Sequence, residues 1–291
     1  MTAHRITLDL GDTRITGMEA AGRPGMPLLV CLPGGGYNAS YFDVAGYSLV
    51  DAARREGFPV VALDRPGHGG STALKGEISF RRNAQVLQGA IAELWERHLS
   101  NSPGIVLVGH SIGGAIALHL AAGDRTWPLL GVSVTGIHDK SRRSNDALRS
   151  QPQDSSLEFS REHLLRFMYG PEGTYDPAVL DIAKHAESPV PLAELVEVAG
   201  EWCTDFAGVA ARVEVPVHYG LAEHEGFWHS SDESVAAFGN AFTAAPSVTA
   251  RRILGGGHNI DHHYVGAAFH REQLAFARTA GQTDPGPPQE E

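Results

Sequence analysis

Gly104-Ile105-Val106-Leu107-Val108-Gly109-His110-Ser111-Ile112-Gly113-Gly114 is the stretch on which the fold is decided. An apolar, β-branched run enters the hexapeptide Gly109 to Gly114, and the small-residue helical run Ala115 to Ala122 leaves it. The order is strand, sharp turn, helix, with serine at the tip, and the pattern is Gly-x-Ser-x-Gly, a nucleophile elbow. Small residues flank the serine because such a turn brings backbone segments together, and a Cβ there would clash. The turn lifts the Ser111 hydroxyl off the sheet. It also aims the amide of Ile112, at the helix start, at charge developing beside it. Glycine and serine are common, so the pattern alone is a weak signal; the strand before it and the helix after it give it weight.

Working outward, the flanking segments alternate. Arg5 to Leu10 and Arg14 to Ala20 alternate polar with apolar residues around Gly11-Asp12, as a hairpin at a sheet edge does. Pro27 to Leu32 and Phe58 to Leu63 are short continuous apolar runs, the pattern of strands buried on both faces. A helix is expected over about Tyr41 to Glu56, closed by Gly57, and another from about Ser79 to Leu99, where Val86, Leu87, Ile91, Leu94 and Trp95 recur at helical spacing. Leu129 to Ile137 reads as the next strand. This β-α alternation describes a parallel sheet with helices on both faces.

From about His138 to Ala211 the alternation stops, and only helical signals appear. Ser155 with Glu158 reads as a capping box, Asp176-Pro177 as an N-cap followed by proline, and Pro191 as a helix start running toward Trp202 and Phe206. The sheet resumes with Val213 to Gly220, a helix over about Ser231 to Phe242, a last strand Val248 to Leu254, and a final helix from Tyr264 to Thr279. The expected architecture is α/β: a mostly parallel eight-stranded sheet formed by residues 1–137 and 212–280, with a helical cap, 138–211, inserted after strand 6. The acidic, proline-rich tail 281–291 is expected to be disordered.

The formal charge of −11, without a basic block, argues against a nucleic-acid partner and against an anionic membrane surface. Two cysteines, Cys31 and Cys203, imply neither a disulfide framework nor a metal site. The polar, alternating N-terminus does not read as a signal sequence, and no apolar run approaches the roughly 20 residues of a membrane helix. A soluble cytoplasmic protein is expected; a monomer and a homodimer fit the sequence equally well.

A serine hydroxyl needs a base to take its proton, and the base needs a partner to orient it. With the strand read as ending at Gly220, Glu223 lies three residues on, and His258 follows the triple glycine after the last strand. Glu225 and Asp139 are rival acids. His258 and His262 have the spacing of a metal pair, but the first stands on a glycine loop, so no metal and no cofactor are expected.

The chain resembles the α/β-hydrolases of the capped, single-domain kind. The likeness rests on Leu32-Pro33-Gly34-Gly35-Gly36, Asp64-Arg65-Pro66-Gly67-His68-Gly69-Gly70-Ser71, Gly109 to Gly114, Val215 to Gly220, and Gly257-His258. It implies a serine hydrolase of the esterase or thioesterase type. Ser111 would be the nucleophile, His258 the base and Glu223 the acid, with the backbone amides of Gly35 and Ile112 as oxyanion donors. The loop departs from the usual His-Gly, reading Pro33-Gly34, and glutamate replaces the usual aspartate. Gly36, Tyr37, His110, Trp202 and Trp228 are candidate substrate contacts. The expected partner is a small acyl substrate: an ester, thioester or lactone. Acyl transfer, cyclisation and carbon–carbon hydrolysis use the same triad, and a small-molecule receptor on the same fold is the reading from a different class.

Overall fold

The computed structural model describes residues 3–282 except 100, 143, 145 and 153. The tail expected to be disordered therefore lies, beyond Gln282, outside the described residues.

The chain opens with β1 (His4–Leu10) and β2 (Thr13–Ala20), paired antiparallel with Leu10 opposite Thr13. Then follow β3 (Leu28–Leu32), α1 (Leu49–Glu56), β4 (Val60–Leu63), α2 (Phe80–His98), β5 (Ile105–His110), α3 (Ile112–Ala121) and β6 (Leu129–Thr135). The segment after β6 holds α4 (Asp146–Arg149), β7 (Ser156–Leu157), α5 (Arg161–His163), α6 (Val179–Ile182), β8 (Val190–Pro191), α7 (Leu192–Val198) and α8 (Glu201–Ala210). β9 (Val217–His224), α9 (Asp232–Asn240), β10 (Val248–Gly257) and α10 (Gly266–Ala280) complete the chain.

Eight strands form one sheet in the order β1-β2-β4-β3-β5-β6-β9-β10, so β1 and β10 are its edges. The strands from β3 onward run parallel, and β2 joins β4 antiparallel. Every residue of β3, β4 and β5 is buried, because helices cover both faces; that is why these strands read as continuous apolar runs. Serine side chains cap three of the helices that flank the sheet. Ser48, Ser79 and Ser231 accept hydrogen bonds from the amides of Asp51, Arg82 and Ser234, which the first helical turn leaves unpaired.

Four local readings are corrected. The helix expected from Tyr41 is a short 3₁₀ turn, Ala39–Asp43, separated from α1 by Gly46 at φ 85°. The segment from 138 to 211 contains a two-stranded ribbon, with Leu157 opposite Val190. Ser155 and Glu158 form no capping box, because that ribbon occupies Ser156–Leu157; the cap of α5 is Ser160, whose hydroxyl accepts from the His163 amide at 3.2 Å. The helix expected from Pro191 is two helices, α7 and α8, which Gly200 separates.

The insert between β6 and β9 is seated on the sheet by polar contacts as well as by packing. The backbone amide of Asn38, in the loop after β3, donates to the carbonyl of Ala186 at 2.8 Å, and its side-chain amide donates to the carbonyl of His185 at 3.1 Å. The side chain of Glu194, in α7, accepts from Arg65 at 2.7 Å, and both side chains are fully buried. Glu197, one turn on, accepts from the amide of Phe80 at the start of α2.

Burial raises the Glu197 carboxyl to about 8, and Glu194, Glu201 and Glu77 add to the effect against the Phe80 hydrogen bond. In the unfolded chain the group ionises near 4.5. The folded state therefore loses stability as pH rises from about 4.5 to about 8, while only the unfolded carboxyl is charged. Glu197→Gln should raise the melting temperature by a few °C at pH 8 and by much less at pH 4.5, followed by scanning calorimetry.

Candidate active site

β5 runs straight into α3, and the joint is Ser111. It has φ 53° and ψ −125°, and it is the non-glycine residue with positive φ among the described residues. A backbone in such a region costs about 1–3 kcal/mol and persists only where the surroundings enforce it. Here they do. A Cβ on Gly113 would stand 2.1 Å from the carbonyl oxygen of Leu32, and one on Gly109 would stand 2.6 Å from the Cα of Gly114. Only glycine lets α3 approach β3 and β5 this closely.

Ser111 Oγ lies 3.0 Å from Nε2 of His258, which follows β10. The other ring nitrogen, Nδ1, lies 2.8 and 3.0 Å from the two carboxylate oxygens of Glu225. A carboxylate accepts and does not donate, so Nδ1 carries the ring proton and Nε2 presents a lone pair to the serine hydroxyl. The His258 and Glu225 side chains are 2% and 0% exposed. In this dry pocket the hydrogen bonds are electrostatically stronger than they would be in water.

The acid beside the histidine is therefore Glu225, and the assignment of Glu223 is corrected. The reading failed on the length of one strand. Gly220 lies inside β9, paired with Thr135 and Arg251 under the ring of Phe269, and β9 runs on to His224. Glu223 is thus still in the strand, and its carboxylate accepts from the Gly255 amide at 2.9 Å and faces Arg252. Glu225 is the first residue beyond the strand end. Asp139, the other rival, is bound to its neighbour His138 at 2.6 Å.

The oxyanion candidates Gly35 and Ile112 both line the cavity onto which Ser111 opens. Ile112 is the first residue of α3, so its amide has no carbonyl partner within the helix. Gly35 packs on the Ile112 side chain, where a Cβ would stand 2.7 Å from Cδ1. Its loop is pinned by Arg65, whose Nε donates to the Pro33 carbonyl at 2.9 Å and whose Nη2 donates to the Gly34 carbonyl at 3.2 Å.

The cavity encloses about 340 Å³. Its wall is largely apolar and comes mostly from the insert: Leu157, Phe159, Met168, Leu195 and Val198, with Phe227 and Trp228 from the segment after β9. Of the expected substrate contacts, Trp228 lines it. Gly36 borders a smaller adjoining cavity, beneath the ring of Phe159. Tyr37, His110 and Trp202 do not line the cavity; their polar atoms face inward. Tyr37 accepts from Asn259 Nδ2 at 2.7 Å, and the Trp202 indole is bound to the His138 carbonyl. Phe159 and Phe227, which dominate the wall, carry no sequence signal beyond being aromatic.

Behind the site lies a buried polar network that no spacing announces. His110 Nε2 donates to the carbonyl of His258 at 3.1 Å, tying the residue before the serine to the histidine itself. Burial, reinforced by His258, pushes the His110 imidazole down to about 3, so it stays neutral. Its ring stacks on Tyr41 at 4.5 Å, and the Tyr41 hydroxyl donates to Asp261 at 2.9 Å. Burial alone would raise the Asp261 carboxyl. The hydrogen bond and charge of His270, aided by His110 and His262, hold it well below the usual carboxylate range. His262 belongs to the same packing, with its ring nitrogens 3.2 Å from the Tyr169 hydroxyl and 3.2 Å from the Tyr41 carbonyl.

Residues 29–272 match the Alpha/beta hydrolase family, and the chain belongs to that family. Among curated proteins it is 31% identical to protein phosphatase methylesterase 1 of Mus musculus over 129 residues, which cover 43% of this chain and 30% of that protein. The match thus spans less than a third of that relative's length. It is 26% identical over 275 residues to 2-succinyl-6-hydroxy-2,4-cyclohexadiene-1-carboxylate synthase of Enterobacter sp. (strain 638), covering 84% of this chain and 90% of the synthase. Among solved structures, an N-acyl homoserine lactonase complexed with N-butanoyl homoserine superposes with a TM-score of 0.66 at 18% identity, over 97% of this chain and 98% of that one. A lipase-esterase related protein from Clostridium acetobutylicum ATCC 824 gives 0.66 at 16% identity, over 95% and 100%. At these identities the structures share the fold. No helix among the described residues is long and apolar enough to cross a membrane.

The geometry distinguishes the two glutamates by experiment. A fluorophosphonate should label Ser111. Glu225→Gln should slow that labelling by about 10²-fold or more, because an amide cannot hold the imidazole tautomer as a carboxylate does. Glu223→Gln should leave the rate within a factor of about three, read by mass spectrometry against time.

Proposed function

We propose that the protein is a serine hydrolase cleaving a carboxylic ester, thioester or lactone with an uncharged, apolar acyl part. The observation that carries this reading is the unbroken hydrogen-bonded line from Glu225 through His258 to Ser111, opening on a largely apolar cavity.

In this mechanism Ser111 Oγ attacks the acyl carbonyl carbon as its proton passes to His258 Nε2. Glu225 stabilises the imidazolium that forms. The carbonyl oxygen, now negative, lies against the amides of Gly35 and Ile112; removing one such donor costs about 3–4 kcal/mol of transition-state stabilisation. The bond to the leaving oxygen or sulfur breaks, and His258 returns its proton to that atom. Water then attacks the Ser111 ester, giving its proton to His258, and the acid leaves as the serine is reprotonated. The lining of the cavity argues for an uncharged acyl group. Its surface is mainly apolar and the Glu158 carboxylate lines it, so a second carboxylate taken into this space would be strongly disfavoured. The lactonase and methylesterase neighbours act, by their names, on ester-type bonds, in keeping with this reading.

Hydrolysis of p-nitrophenyl esters tests it. The wild-type protein should turn over many times, and Ser111→Ala should lose at least about 10⁴-fold in kcat with its melting temperature unchanged within a few °C. Each methylene from acetate to hexanoate should raise kcat/KM by up to about fourfold, since burying one is worth about 0.8 kcal/mol. A single equivalent of product with no further turnover would instead indicate a ligand-binding protein on this fold.

A further inference from the structure

We infer that Arg65 is a positioning residue which, through Glu194, couples the filling of the acyl cavity to the placing of the Gly34–Gly35 loop. The inference rests on the hydrolase reading above.

All three nitrogens of the Arg65 guanidinium group are hydrogen-bonded within the protein, and the side chain is fully buried. Nε donates to Pro33 O at 2.9 Å and Nη2 to Gly34 O at 3.2 Å, so both carbonyls preceding the Gly35 amide are held by one rigid fork. Nη2 also reaches Nε2 of His68 at 3.0 Å. Nη1 donates to Glu194 Oε1 at 2.7 Å. Burial, with the Arg65 charge adding to it, pushes the His68 imidazole down to about 4, which keeps it a neutral acceptor for that donor. Arg65 belongs to the loop after β4, whereas Glu194 belongs to α7 of the insert. Two charges have thus been taken wholly out of water to join two parts of the chain 129 residues apart. A buried pair of this kind is a poor source of stability, because desolvation consumes most of the attraction. What it supplies is a fixed geometry.

The other end of the link is the cavity wall. Leu195, next to Glu194, and Val198, one turn of α7 later, both line the space beside Ser111. An acyl chain that fills this space presses on α7. α7 carries the carboxylate that holds Arg65, and Arg65 holds the two carbonyls that set the direction of the Gly35 amide. An acyl chain long enough to pack on Leu195 and Val198 therefore holds α7, and through it the loop, in the arrangement seen here, whereas a short one leaves α7 without that packing. This places acyl-chain selectivity in the chemical step as well as in binding, because an oxyanion donor acts in the transition state.

The test is steady-state hydrolysis of p-nitrophenyl acetate, butanoate and hexanoate by the full chain, in wild-type form and as two variants. Arg65→Lys keeps the charge for Glu194 but cannot span both carbonyls. The double variant Arg65→Met with Glu194→Leu replaces the pair by apolar groups of similar size. Wild-type kcat should rise at least tenfold from acetate to hexanoate. In both variants that rise should shrink to less than threefold, with KM for hexanoate changed by less than threefold. Three results would overturn the inference: a wild-type kcat that does not change with chain length, variants that keep the wild-type rise, or effects confined to KM. Melting curves are run beside the kinetics. If neither variant melts as a folded protein, the pair is a structural element and the inference fails as well. A wild-type protein that hydrolyses none of the esters refutes the hydrolase reading instead, a separate result from any of these.

Discussion

Everything at the site depends on how closely α3 approaches β3 and β5. The carbonyl of Leu32 and the backbone of Gly113 lie so near that no side chain fits between them. That contact forces Ser111 into a conformation an L-residue ordinarily avoids. The strain is local and the return is geometric: the hydroxyl stands clear of the sheet, and the amide of Ile112 is left without a helical partner. The surrounding parallel strands, buried on both faces, are stiff enough to hold it there.

Around this point the fold gathers residues from distant parts of the chain. Gly35 comes from the loop after β3, Glu225 from the end of β9 and His258 from the end of β10. The carboxyl ends of parallel strands all lie at one rim of the sheet, which is where α/β sheets place their ligand sites. The insert adds the apolar wall. The His110–Tyr41–Asp261 network, buried and kept in defined protonation states, fixes the back of the histidine loop.

Much of this was legible in the sequence for a physical reason. Buried parallel strands are continuous apolar runs, and every strand of the main sheet could be located from that pattern or from alternation. Ser111 and His258 could be placed because glycines mark tight turns and strand ends. The same signal points to Glu223 rather than Glu225, because a glycine at position 220 reads as the end of a strand. In fact a glycine is needed there, inside β9, because the ring of Phe269 lies against the backbone. The two-residue ribbon of the insert escaped notice because two residues have no period. The wall residues Phe159 and Phe227 are set by tertiary packing alone, and nothing local distinguishes them from Trp202, which is buried in the core.

One property of the sheet bears on how copies of the chain behave toward each other. Its two outer strands, β1 and β10, are where another chain could extend the hydrogen-bonded ladder. β10 carries Arg251 and Arg252 side by side, and β1 carries His4, Arg5 and Asp9. Charges on exposed strands oppose edge-to-edge pairing and the aggregation that follows from it. The same polar alternation that marked β1 as a border strand in the sequence thus guards the molecule against joining its neighbours into a continuous intermolecular sheet.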